Sequence, residues 1–81
     1  MHIVYILQSE MNKSKYYVGR TNDIIRRLNQ HNNEPSCSYT RKYIPWRLRT
    51  YTVFDNKKNA DEFELYLKKP SGKAFLTKRL I

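Results

Sequence analysis

At 81 residues the chain has room for one domain with a modest core. Its 40% hydrophobic and 14% aromatic content excludes a low-complexity chain, and two glycines and three prolines exclude a collagen-like one. Sixteen Lys and Arg against seven Asp and Glu leave a formal charge of +9, which together with seven Tyr and one Trp is the footprint of a nucleic-acid partner.

The lone cysteine, Cys37, excludes an internal disulfide and a cysteine-based zinc cluster, and it fits a reducing compartment. The opening MHIVYILQSE has neither the basic start nor the apolar length of a signal peptide. No stretch approaches the roughly 18 apolar residues of a membrane span. The basic residues are spread along the chain, which argues against a membrane-surface helix. The expectation is a soluble cytoplasmic protein forming a single domain over 1–81.

Residues 2–7 are apolar and β-rich and read as a buried strand. Residues 9–14 are polar and read as a turn, and 15–19 read as a second strand completing a hairpin. Thr21, Asn22 and Asp23 supply N-cap chemistry for a helix over 24–32. Residues 33–45 are polar and Pro-bounded and read as a loop. A third strand follows at 46–54, with imperfect alternation that suggests a bulge or burial on both sides. Residues 56–69 read as a second helix, broken by Pro70, Ser71 and Gly72, with a last short helix over 74–81. The order is β-β-α-β-α-α, an α+β fold with a three-stranded, largely antiparallel sheet flanked by helices.

Two helical faces carry residues that hydrophobic patterning alone does not require. At about 100° per residue, Ile24, Ile25 and Leu28 set the apolar side of the first helix. Arg27 and His31 fall along one edge of that side, four apart, while Arg26 points to solvent. Both have ordinary explanations, since Arg27 can snorkel from the core edge and His31 can sit at a helix end favoured by the dipole. On the second helix Ala60, Phe63 and Leu67 make the apolar stripe. Glu64 falls inside it, with Asp61 and Glu62 outside. A carboxylate there is costly unless it is paired, with Arg27 as one candidate, or binds a metal. Tyr5 and Tyr17 lie on neighbouring strands, and Gly19, ending the second, suggests a bend or a close backbone approach.

Taken together these residues resemble the GIY-YIG nuclease superfamily. The two motifs of the name read here Ile3-Val4-Tyr5 and Tyr17-Val18-Gly19, with Ile3 where the name has Gly. The run from Gly19 through Arg20-Thr21-Asn22-Asp23-Ile24-Ile25-Arg26-Arg27-Leu28 places Arg27 at the catalytic arginine. His31 matches a position where relatives carry His or Tyr, and Glu64, in Ala60-Asp61-Glu62-Phe63-Glu64, falls at the metal-binding glutamate. Tyr39-Thr40-Arg41, Pro45-Trp46-Arg47-Leu48 and the tail from Leu67-Lys68-Lys69 to Gly72-Lys73-Ala74-Phe75-Leu76 are similar to small standalone members.

The resemblance implies a metal-dependent endonuclease that hydrolyses phosphodiester bonds, with structured or damaged DNA in repair or recombination as the expected substrate. The alternative is a nucleic-acid-binding module or adaptor that keeps the fold without turnover. Glu64 would hold a divalent ion, Mg²⁺ first and Mn²⁺ second, because one carboxylate plus water suits an ion that dehydrates reluctantly. Arg27 would neutralise charge on the phosphate oxygens, and one of Tyr17 and Tyr5 would act as base, Tyr17 being preferred, with His31 relaying its proton. Gly19, Arg20, Arg41, Lys42 and Arg47 are candidates for backbone and phosphate contacts, and Tyr39 for base stacking, although the charged residues and the ring, taken one by one, read better as ordinary surface groups.

Overall fold

The computed structural model describes residues 1–34 and 38–81, so Cys37 and part of the expected loop over 33–45 lie outside the described residues. Strand β1 (His2–Ser9) is the middle of a three-stranded sheet and pairs antiparallel with β2 (Tyr16–Thr21) and β3 (Trp46–Phe54). Its near-continuous apolar run follows from that position, because both faces of the strand are covered. Val4 and Ile6 point to one side and join Ala60, Leu67 and Leu76 in a cluster edged by Tyr16, Val18, Phe54 and Phe63. Tyr5 and Leu7 point to the other side and meet Trp46, with Tyr17, Ile24, Leu28, Tyr43, Ile44 and Leu48 around them. The period-2 alternation of a strand thus divides the core into two layers.

The two long helices each cover one face. Helix α1 (Ile24–Asn33) is capped by Asp23, whose side chain accepts from the Arg26 amide at 3.1 Å. Its inward residues lie over Tyr5 and Leu7. A one-turn helix, α2 (Ser38–Lys42), stands in the segment read as loop. Helix α3 (Lys57–Leu67) is capped by Asn56, which accepts from the amides of Lys58 and Asn59, and packs on the Val4–Ile6 side. Asn56, expected inside this helix, is its cap.

The expected α+β order holds, with further particular differences. Strand β2 starts at Tyr16 and continues past Gly19 to Thr21. The third strand runs over the expected residues, and its imperfect alternation is a bulge: Ile6 faces Thr50 and Leu7 faces Leu48, which leaves Arg49 as the extra residue. Pro70, read as a breaker, instead opens helix α4 (Pro70–Phe75), since a first-turn proline loses no helical hydrogen bond. A π-helical turn over Leu76–Leu80 follows. Gly72 is buried where α4 crosses α3; a Cβ there would collide with the Tyr66 carbonyl and meet the Leu67 Cα at 2.7 Å.

Ile25 does not belong to the apolar side of α1, for it is 81% exposed. The inward arc is completed by Arg27 and His31 in its place.

Candidate active site

Tyr5 on β1 lies directly opposite Gly19 on β2, and its ring crosses over the Gly19 Cα. A Cβ at position 19 would overlap the Tyr5 hydroxyl and stand 2.6 Å from Cζ, so only glycine lets the ring lie flat there. The expected close approach at Gly19 is therefore to Tyr5. Tyr17, two residues earlier on the same face of β2, stacks beside Tyr5 with ring centroids 6.3 Å apart.

Helix α1 completes the group. Arg27 Nε donates to the Tyr5 hydroxyl oxygen at 3.2 Å, and Arg27 Nη1 donates to Gln30 Oε1 at 3.1 Å. The Tyr5 hydroxyl lies 2.9 Å from His31 Nε2. Arginine can only donate, so the Tyr5 oxygen accepts from Arg27 and its own proton is free for His31. Burial, and secondarily the charge of Arg27, lower the His31 pKa to about 4, so the ring is neutral at pH 7 with one nitrogen able to accept. Burial raises the Tyr5 pKa, while the hydrogen bond from Arg27 opposes that rise. Arg27 is held charged by Tyr5 above all, with a contribution from Tyr17. His31 also packs against the Tyr17 ring at 4.7 Å between centroids. Tyr5 and His31 are buried, whereas Tyr17 and Arg27 are half-buried and reach the surface.

The end of α1 is fixed by a device no sequence pattern reveals. The Asn32 side chain accepts from the Trp46 amide at 2.6 Å and donates to the Trp46 carbonyl at 2.9 Å. Asn32 thereby supplies the partner that the outer edge of β3 lacks, and it anchors its neighbour His31.

Glu64 lies on α3, which packs on the opposite face of the sheet from α1. Its partner is Lys68, one turn on, with Nζ 2.9 Å from Oε2; the expected alternative, Arg27, belongs to the other layer. Glu64 is half-buried at the edge of its stripe. One turn before it, Asp61, expected to point away, turns toward β2, where Arg20 Nε stands 2.6 Å from Oδ1, near enough for charge attraction though not aligned as a hydrogen bond. One turn after it, Lys68 lines a depression together with Tyr17 of β2. Residues 61, 64 and 68 share one helical edge, so Glu64 faces the β2 margin of the sheet. Its charge acts on Tyr5, among the smaller influences that raise that phenol.

Over residues 1–79 the chain matches the family model of the GIY-YIG catalytic domain. It belongs to the GIY-YIG family. Relatives include a UPF0213 protein of Clostridium perfringens, 38% identical across 85% of this chain and 72% of that one, and one of Halobacterium salinarum, 38% identical across 88% and 90%. The solution structure of a UPF0213 protein from Bacillus halodurans superposes with a TM-score of 0.57 at 32% identity, covering 95% of this chain and 82% of that one. The GIY-YIG family is one of nucleases, which implies a nucleic-acid substrate, and its members generally use divalent metals.

In this GIY-YIG domain the surface candidates separate. Arg20 lines a second depression with Arg26, Arg27, Thr21, Asn22 and Gln30, next to the Tyr5 group. Tyr39, on α2, donates its hydroxyl to the Tyr16 carbonyl at 2.9 Å and packs on Tyr43 and Trp46, so much of its ring is already used. Lys42 lies over the Tyr43 ring at 5.5 Å. Arg41, Lys42 and Arg47 are exposed and line neither depression. Gln30, Asn32 and Lys68 are not marked by sequence patterning as parts of the site. Only Lys68 carries a usable signal there, the favourable Glu-to-Lys spacing of four.

Among the described residues no cluster of three His, Cys, Asp or Glu side chains could cage a metal. A fully protein-liganded ion does not fit. A water-rich Mg²⁺, needing one hard carboxylate, fits Glu64, since Lys68 engages only Oε2.

Proposed function

We propose that this GIY-YIG domain, acting as a single domain over 1–81, is a Mg²⁺-dependent endonuclease whose expected substrate is structured or damaged DNA. One observation carries the reading: a buried tyrosine wired to both an arginine and a neutral histidine, beside a second tyrosine that opens to the surface. A purely structural tyrosine does not need a charged donor on its oxygen. The neutral His31 ring can accept the Tyr5 hydroxyl proton in a hydrogen bond, which leaves the Tyr5 oxygen to accept from Arg27.

In this reading Tyr17, half-buried at the mouth of the Lys68 depression, is the group that meets the attacking water. Tyr5, only 1% exposed, serves as the internal partner that holds Arg27 and His31 beside Tyr17. The adjacent Arg27 charge interacts with Tyr17 and would support it as the base. Arg27 would also donate to the non-bridging phosphate oxygens as charge builds. Glu64 would hold the divalent ion, which supplies Lewis acidity and a more acidic water when bound. Arg20 would contact phosphate from the depression it shares with Arg27. No helix among the described residues is long and apolar enough to cross a membrane, and we place the protein in the cytoplasm.

The test is incubation with branched, nicked, single-stranded and duplex DNA, with Mg²⁺ and then with EDTA. Cleavage of at least one substrate that stops with EDTA is expected. Binding without cleavage of any would leave a nucleic-acid-binding module.

A further inference from the structure

The depression behind Tyr17 is built where several parts of the chain meet at the β2 margin: Lys15, Tyr16 and Tyr17 from the hairpin, Tyr39 from α2, Lys68 after the end of α3, and Lys73 from the tail. Its volume is about 430 Å³. Three of its lining residues are lysines and none is acidic. Like charges gathered around one concavity repel one another and favour an anion that enters it. Among the described residues an ion pair relieves this for Lys68 alone. Lys68 is bound to Glu64, and Lys15 lies 5.6 Å from the Tyr43 ring centroid. Lys73 forms no ion pair among the described residues.

Position adds to the charge. The Arg20–Arg26–Arg27 depression lies toward the Thr21 end of β2, and the Lys15–Lys68–Lys73 depression lies toward the Tyr16 end. Tyr17 and Arg27, one at the rim of each, leave the reacting centre between them. An extended strand advances roughly 3.3 Å per residue, so the six residues of β2 span about 20 Å, a few nucleotides of backbone.

We propose that the Lys15–Lys68–Lys73 depression is a phosphate subsite for the nucleic-acid strand being cut, holding a backbone phosphate flanking the scissile one. The strand then runs along the β2 margin, with Arg20 and Arg26 on one side of the cut and the lysines on the other. Tyr16 and Tyr17 provide ring surface for the intervening sugar or base. Lys68 joins the subsite to the reacting centre, because the ammonium that would meet the flanking phosphate also holds Glu64 Oε2. This proposal rests on the nuclease reading above and names how that same site grips its substrate.

The experiment measures equilibrium binding of a labelled single-stranded DNA oligonucleotide against salt, for wild type, the double variant Lys15→Gln/Lys73→Gln, and Lys78→Gln, which removes an exposed charge outside the depression. Thermal melts confirm that each variant is folded. Each phosphate that a variant no longer neutralises should flatten the log K against log salt slope by about 0.7 on a single strand, so the double variant, which gives up the one phosphate of the subsite, should flatten it by about 0.7. Lys78→Gln should leave the slope within error of wild type. The apparent KM for cleavage by the double variant should rise, while that of Lys78→Gln should stay at the wild-type value. An unchanged slope in the double variant, or an equal change in Lys78→Gln, would overturn the subsite. Wild type that binds none of branched, nicked, single-stranded and duplex DNA would overturn the nuclease reading itself, a result distinct from normal wild-type binding with an insensitive double variant.

Discussion

The two faces of the sheet are built to different rules. The side under α3 is a conventional core in which Val4, Ile6, Ala60, Leu67 and Leu76 bury hydrocarbon against hydrocarbon. The side under α1 also buries large side chains, but beside Leu7 they are Tyr5, His31 and Trp46, with Arg27 and Tyr17 drawn to its edge. Polar groups placed there lose water and must be compensated by hydrogen bonds, at a net gain of only about 1 kcal/mol for each bond made. An aliphatic replacement of the same volume would serve stability as well. The contrast assigns stability mainly to the α3 face and chemistry to the α1 face, with Glu64 reaching the β2 margin from the stable side.

The sharpest way to break this division is Glu64→Ala. Cleavage should be abolished, while stability should change by no more than about 0.5 kcal/mol, because the Glu64–Lys68 pair is an exposed i,i+4 bridge with Lys68 half in solvent. Urea unfolding beside a nicking assay checks both. A variant that cuts normally removes Glu64 from the site, and one that unfolds makes it structural.

Arg27→Ala should lower the single-turnover rate by about 10²–10³, comparable to losing one preorganised donor to developing charge. Arg26→Ala, exposed one residue earlier, should cost far less. Equal losses would mean that net charge, not the Tyr5 group, explains the effect.

A smaller effect tests the buried histidine. The folded His31 pKa is depressed to about 4 against about 6.5 unfolded, so the unfolded chain binds the extra proton between these values. Stability is then complete above pH 6.5 and falls as pH drops toward 4. Between pH 7 and pH 5 wild type should lose about 2 kcal/mol. His31→Gln should show much less of this slope in urea titrations at the two pH values, and an equally steep slope would place the acid sensitivity elsewhere.

Much of the architecture is legible in the sequence because the local signals agree with the tertiary result. The β-rich run of β3, the caps at Asp23 and Asn56 and the glycine opposite Tyr5 each have a cause within a few residues or on the adjacent strand. The helical face of α1 is half legible. Patterning marks Arg27 and His31 at its edge, but it turns Ile25 inward because apolar character alone sets the arc; the burial of Ile24, Leu28 and His31 shows the arc turned away from it. Helix α2 is one turn with little apolar periodicity, so its polar composition reads as loop. The Asn32–Trp46 clamp joins positions 14 apart through backbone groups, for which side-chain patterning carries no signal. The pairing of Glu64 stays open in the sequence, which cannot say that α1 and α3 take opposite faces; once they do, Lys68 is the cation within reach.

Neighbouring residues of β2 offer the most direct test, since Tyr17 faces α1 and Val18 faces α3. Tyr17→Phe keeps the ring and removes the hydroxyl, while Val18→Ala removes hydrocarbon from the other core. Single-turnover cleavage at several pH values, beside urea unfolding of both variants, gives the comparison on one strand. Tyr17→Phe should lose about 10²–10⁴ in rate with stability nearly unchanged. Val18→Ala should lose about 1 kcal/mol of stability with its cleavage rate retained. A normal rate in Tyr17→Phe, or a catalytic defect in Val18→Ala as large as that of Tyr17→Phe, would contradict the division of labour between the two faces.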